Sequence, residues 1–91
     1  MAEIAVGKKV LVPCKVQPGP FSEERVVTID TIDGPISGFV RRDDLAQKNE
    51  QWYVRGVVRD MKKDAVLVWI IGSFFTTNGL ANVPRHLALA A

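Results

Sequence analysis

The sequence has very few of the side chains on which metal sites and nucleophilic catalysis depend. It contains one cysteine, Cys14, and one histidine, His86, in 91 residues. A lone thiol forms no intrachain disulfide, so we expect a reducing compartment and a cytoplasmic protein. These two residues, far apart in the chain, do not supply the four ligands of a structural zinc site. We therefore expect no metal.

Long apolar runs and an excess of one charge are also missing. The longest uninterrupted apolar run, 65–71, is far shorter than the roughly 20 residues that cross a bilayer, and the N-terminus has no signal-like apolar stretch. We expect neither a membrane nor a secreted protein. Twelve Lys and Arg against ten Asp and Glu leave a net charge of +2, which is too small to indicate a class of partner. With 47% hydrophobic and 24% charged residues, the chain fits one small globular domain spanning 1–91.

No catalytic constellation is visible. The sequence has no Gly-rich phosphate loop, and its carboxylate pairs, 23–24 and 43–44, fall in a loop and in a first helical turn, where such residues are ordinarily solvated or capping. We expect a non-enzymatic protein with no catalytic residues and no cofactor. An enzyme whose site forms only between subunits, around His86 or Cys14, stays open as an alternative.

Short β-rich segments separated by Gly, Pro and Asp-Gly turns make up most of the chain. The pattern predicts strands at 9–16, 25–32, 36–41, 51–59 and 65–71, leaves a sixth open at 73–77, and does not assign 80–91. Pro13 lacks a backbone donor, so the first strand should lie at a rim or bend there. Leu45 should plug a single helical turn. The prediction is an all-β fold, a single small antiparallel barrel of five or six strands, SH3-like or OB-like, with one short helical turn.

Two families of small barrel resemble parts of this pattern. The strand order over Gly7 to Ile71 resembles the OB fold. Within it, the stretch 33–45 is similar to a stretch of S1 RNA-binding domains in which a strand with the pattern glycine-hydrophobe-valine is followed by a polar pair and a leucine. Here the strand pattern is Gly38-Phe39-Val40. The segment 79–84 resembles the closing segment of SH3-type barrels. Both resemblances imply a small barrel, and the OB/S1 resemblance implies binding of RNA or single-stranded DNA.

Side-chain alternation predicts a face that combines flat rings with guanidinium groups. Such a face suits nucleic acid, because cations bind phosphates and rings stack on bases. The alternative is an ordinary outer sheet face on which long side chains lie along apolar surface. Asp30, predicted on the same side, and the small net charge favour that alternative. The candidate nucleic-acid residues are Phe39, Arg41, Tyr53, Arg55 and Arg59.

The strand at 65–71 is apolar on both of its sides. Whichever side faces the core, the other exposes large apolar groups, which is unusual for an antiparallel strand in an isolated barrel. Either the C-terminal tail, with Leu80, Leu87 and Leu89, folds over this face, or a second subunit covers it. We expect an interaction module that binds itself or another protein, with nucleic-acid binding as the alternative. The candidate self-association residues are Leu67, Trp69, Ile71, Phe74 and Phe75.

Overall fold

A computed structural model describes residues 4–19, 21–74 and 79–91, with the side chains of Ser73 and Phe74 outside that description. Of the described residues, 67% lie in strands and 7% in lone 3-10 turns. The strands form one antiparallel sheet that curls into a half-barrel, which confirms the predicted all-β class. The described residues contain no helix long and apolar enough to cross a membrane.

Nine strands and two 3-10 turns make up the described fold. The order in the sheet is β7-β3-β2-β1-β5-β6-β8, with β4 beside β5 and β9 beside β1. The strands are β1 (Lys9–Pro18), β2 (Glu24–Thr31), β3 (Gly34–Arg41), β4 (Leu45–Lys48), β5 (Gln51–Met61), β6 (Ala65–Ile70), β7 (Ser73–Phe74), β8 (Leu80–Pro84) and β9 (Leu89–Ala90), and the turns are Arg42–Asp44 and Arg85–Leu87.

Pro13 lies where the central strand β1 changes partner. Along one edge β1 pairs with β5; along the other it pairs first with β9, at Val10 and Leu11, and then with β2 from Lys15 onward. Lys9 accepts a bond from Ala91 on the β9 side, so by alternation the missing N–H of Pro13 points into the gap between β9 and β2. Of the two expectations for β1, a rim position or a bend at Pro13, the rim position is therefore wrong, because a central strand accommodates proline at this gap.

The core is a cluster of aliphatic side chains inside the half-barrel. Cys14, 6% exposed, belongs to it, and Leu45 plugs it after the first 3-10 turn. Full burial of one large aliphatic side chain stabilises the fold by about 1.5–3 kcal/mol. The other buried members are Val10, Val12, Val27, Ile29, Val40, Val54, Val58, Val66, Val68, Ile70, Ala81 and Val83.

The end of the sheet at β8 returns to β2. The backbone N–H of Ile32, just after β2, donates to the carbonyl of Asn82 on β8 at 2.8 Å. This bond satisfies one backbone group at the edge of β8 and fixes the curl of the sheet. Elsewhere in the sheet, β7 pairs with β3, so the connection from β6 to β7 leads from β6 to β3, and the candidate surface is found there.

Candidate interaction surface

Strand β6 presents apolar side chains on both of its faces. Val66, Val68 and Ile70 are buried in the core. Trp69 and Ile71, which point the other way, are 40% and 44% exposed, and Leu67 is half-buried. Side chains alternate between the two faces of a strand, so these large groups lie on the outer face of β6. They stay exposed because no strand in the described part of the chain packs over that face.

The C-terminal tail does not cover this face, so that alternative is wrong. The first part of the tail forms β8, which pairs with the edge of β6 and lies beside it in the sheet. This pairing places Ala81 and Val83 in the core. Leu80 lies directly opposite Trp69 and is itself 40% exposed, so it enlarges the apolar area. Farther on, the tail crosses to β1, and Leu89 pairs with Leu11 there.

We call Leu67, Trp69, Ile71 and Leu80 the β6 strip. On its β5 side, Trp69 is opposite the half-buried Val57, whose own neighbour on β1 is Lys9. The strip is therefore bounded by a charged residue on this side. Contiguous exposed apolar groups with a polar rim are typical of protein interaction sites.

A cleft of about 330 Å³ continues the strip beyond Ile71. Phe39 from β3, with Ile71 and Gly72, supplies apolar lining, and Val40 borders the cleft while its side chain is buried in the core. Charged lining comes from Glu24, Arg41 and Asp44. We call this the Ile71 cleft. Its apolar groups suit an apolar anchor, and its charges of both signs suit a protein partner better than a polyanion.

The predicted nucleic-acid residues fall into two separate groups. Phe39 and Arg41 are on β3, whereas Tyr53, Arg55 and Arg59 are on β5, and β2 and β1 lie between these strands in the sheet. Phe39 is half-buried opposite Val26 and belongs to the Ile71 cleft. Sequence alternation assigned each side chain to the outer face but carried no information on how many strands separate them.

Arg55 holds the first 3-10 turn in place. Its Nη1 atom donates to the carbonyl of Asp43 at 2.9 Å and to that of Leu45 at 3.1 Å. These carbonyls flank the point where the chain leaves the turn and enters β4. A structural role for this guanidinium was missed from the sequence, because the contact spans ten or more residues and no motif signals it.

The remaining chemistry-bearing residues are placed as follows. Burial raises the pKa of the Cys14 thiol from 9.0 to about 11, so it stays protonated at neutral pH and is a poor nucleophile. His86 is exposed in the second 3-10 turn. The described residues include no cluster of three or more His, Cys, Asp or Glu suited to a metal ion. The side chain of Phe74 and the whole of Phe75, both candidates for self-association, lie outside the described residues.

Comparison of the chain with models of known protein families, with curated proteins and with solved structures finds no match in any of the three. The class of protein is therefore defined by the fold itself, a small antiparallel half-barrel. Its function has to be argued from the β6 strip and the Ile71 cleft.

Proposed function

We propose that this chain is a non-enzymatic β-barrel interaction module of the cytoplasm that associates with a second copy of itself through the β6 strip. One observation carries the proposal: Trp69, Ile71 and Leu80 are 40%, 44% and 40% exposed on neighbouring positions of one face, and the chain's own tail passes beside them. Removing such area from water is the usual driving force of association.

The energetics indicate a weak or moderate association if the strip acts alone. Each of its members is already part-buried, so complete burial adds roughly 1 kcal/mol per side chain. Association costs about 4–15 kcal/mol in lost translational and rotational freedom. A specific interface also buries on the order of 1,000 Å² or more in total. The contact must therefore extend past the strip, and the adjoining Ile71 cleft is the surface available to it.

The test compares two lysine substitutions at exposed apolar positions. Trp69→Lys places a charge in the strip, whereas Ile32→Lys, at a position 54% exposed in the turn after β2, places the same charge outside it. We expect Trp69→Lys to weaken self-association by about tenfold or more in sedimentation equilibrium, and Ile32→Lys to leave it unchanged. Equal behaviour of both variants would overturn the proposal.

A second candidate function is binding of RNA or single-stranded DNA by an OB/S1-like barrel. Two features support it: β1 lies between β2 and β5, and Gly38-Phe39-Val40 on β3 is followed by a 3-10 turn and the buried Leu45, in the order of the S1 stretch. The SH3-like alternative rests on the segment 79–84. This segment contains β8, which pairs antiparallel with β6. In the nucleic-acid proposal the stacking rings are Phe39 and Tyr53, on separate strands.

Fluorescence anisotropy with labelled oligonucleotides separates the two candidates. Phosphate contacts weaken steeply with salt, so nucleic-acid binding predicts a signal at low salt that falls at moderate salt. Arg59→Gln, at an exposed position of β5, should then reduce the affinity, while it leaves self-association unchanged. Absence of any salt-sensitive signal at roughly 50 µM protein would discard the nucleic-acid candidate.

A further inference from the structure

We propose that a second cavity, beside Pro13, binds a small zwitterion of the free α-amino acid class. The cavity has a volume of about 230 Å³ and opens where β1 has left β9 and has not yet paired with β2. We call it the Pro13 cavity. It shares no lining residue with the Ile71 cleft, so the inference goes beyond the proposed self-association. Its walls are formed by Pro13, Lys15, Thr28, Asp30, Gln51 and Leu87, all in the described part of the chain.

The backbone at the Pro13 cavity has an acceptor that lacks its usual donor. Pairing of β1 with β2 ends at Lys15 and Thr28, so the next residue of β2 that faces the same edge is Asp30. In a regular antiparallel ladder, the residue opposite Asp30 donates its N–H to the Asp30 carbonyl. That residue is Pro13, which has no N–H. The Asp30 carbonyl therefore faces the gap without this bond, and a bound ligand can supply the donor.

Two charged side chains of opposite sign line the same cavity. Lys15 and Asp30 are both exposed, and neither forms an ion pair with another residue that the structure describes. They are diagonal neighbours across the two strands, a placement at which residues are about 7–8 Å apart in a regular sheet. A ligand that carries an ammonium and a carboxylate on one carbon atom binds both, because its carboxylate accepts from Lys15 and its ammonium donates to Asp30.

Gln51 adds a further acceptor for the ammonium group. Its Nε2 atom donates to the carbonyls of Cys14 at 3.2 Å and Trp52 at 2.9 Å, which fixes the amide and leaves Oε1 for a ligand. With the carboxylate and the carbonyl of Asp30, this oxygen makes three acceptors in one cavity. An ammonium group has three N–H donors, so the two sets match in number.

Size and apolar surface restrict the ligand further. Pro13 and Leu87 provide apolar walls, which suit a short aliphatic side chain. Pockets for drug-sized ligands are about 300–1,000 Å³, so this cavity suits a smaller molecule. Cys14 also lines it, but its buried thiol stays protonated, so the site binds and does not react. Leucine combines these features, and the exposed charges predict weak binding, with a dissociation constant on the order of 1 mM.

Titration of the isotope-labelled chain with L-leucine at neutral pH, followed by two-dimensional NMR, tests the site. We expect saturable shifts of the amide signals of Lys15 and Asp30. Two analogues each remove one charge, since N-acetyl-leucine lacks the ammonium and leucinamide lacks the carboxylate. Each should bind about threefold or more weakly than leucine, because exposed ion pairs contribute modestly.

Two variants identify which side chain binds which group. Lys15→Gln should weaken leucine binding about threefold and leave leucinamide binding unchanged, whereas Asp30→Asn should weaken leucine binding and leave N-acetyl-leucine binding unchanged. Both positions are exposed, so the fold tolerates the changes. The matched controls, Lys48→Gln and Asp64→Asn, change exposed charges outside the cavity and should bind leucine as the wild type does.

Absence of a saturable shift at leucine concentrations about twentyfold above 1 mM would overturn the inference. Equal binding of leucine and both analogues would also overturn it, as would wild-type affinity for leucine in both variants. Self-association is measured separately by sedimentation, so the cavity and the β6 strip can each fail without the other.

Discussion

Gly56 on β5 lies so close to β6 that a Cβ atom added to it would overlap with Val68 Cγ1 and approach the Trp69 carbonyl oxygen to 2.9 Å. The two strands approach this closely where the sheet curls, and the next outer position on β5, Val57, is opposite Trp69. Gly56 therefore links the curvature of the core to the position of the exposed tryptophan. A mid-strand glycine at a point of close backbone approach is the expected solution.

Gly56→Ala should lower the free energy of unfolding by about 1–3 kcal/mol, because the new methyl group overpacks the core against Val68. Urea denaturation of the two proteins under identical conditions measures the difference. A variant as stable as the wild type would mean that β5 and β6 separate easily, and the stated reason for the glycine would then be wrong.

Glu50→Gly should raise the free energy of unfolding by about 0.5–1 kcal/mol. Asn49 and Glu50 form the two-residue connection between Lys48 and Gln51, with φ angles of 50° and 71°. Two left-handed residues in a tight hairpin favour Asn-Gly, and a glutamate there is strained. Glu50→Ala keeps the Cβ and serves as the control, with no gain expected. Thermal unfolding compares the three, and a stabilised Glu50→Ala would contradict the backbone explanation.

Stability should fall between about pH 9 and pH 11 through Cys14. Its pKa is raised by burial from 9.0 to about 11 in the folded chain, so the folded state holds its proton longer than the unfolded state does. The contribution is complete below pH 9 and is lost as the pH rises toward 11. The measurement is the difference in unfolding free energy between wild type and Cys14→Val as a function of pH, because every group other than the thiol is common to both chains. A difference that is constant with pH would contradict the burial of the thiol.

Arg55→Met should destabilise the chain by about 1 kcal/mol, because it removes the bonds to the carbonyls of Asp43 and Leu45. Arg59→Met, at an exposed position of β5 where the pairing with β6 shifts register, is the matched control and should change stability little. Amide exchange of the Arg42–Asp44 turn gives the local readout, with faster exchange expected only in Arg55→Met. Equal exchange in both variants would show that Arg55 does not hold the turn.

Local patterns were sufficient to predict the strands built from long β-branched runs. The segments predicted at 25–32, 51–59 and 65–71 correspond to β2, β5 and β6, because alternation and turn residues determine such strands locally. Leu45 as a plug behind a short turn is likewise confirmed. The outward positions of Trp69 and Arg55 follow from the same period of two.

Features that depend on distant pairing were not predictable. Strand β4 has no β-branched or aromatic residue to indicate a strand, and it is held as one by its pairing with β5. The tail forms β8 by pairing with β6 and β9 by pairing with β1. The sequence of 80–91 does not indicate with which strand either part pairs. For the same reason, the sequence united Phe39 with Tyr53 on one face, whereas the sheet order assigns Phe39 to a cleft with Ile71.

The central claim, that the β6 strip is covered by a second copy, is tested most directly by the mass of the wild-type chain in solution. Sedimentation equilibrium over about a hundredfold dilution should show twice the 10.1 kDa chain mass at high concentration and a return toward the single-chain mass on dilution. The mass of one chain at every concentration would contradict the account.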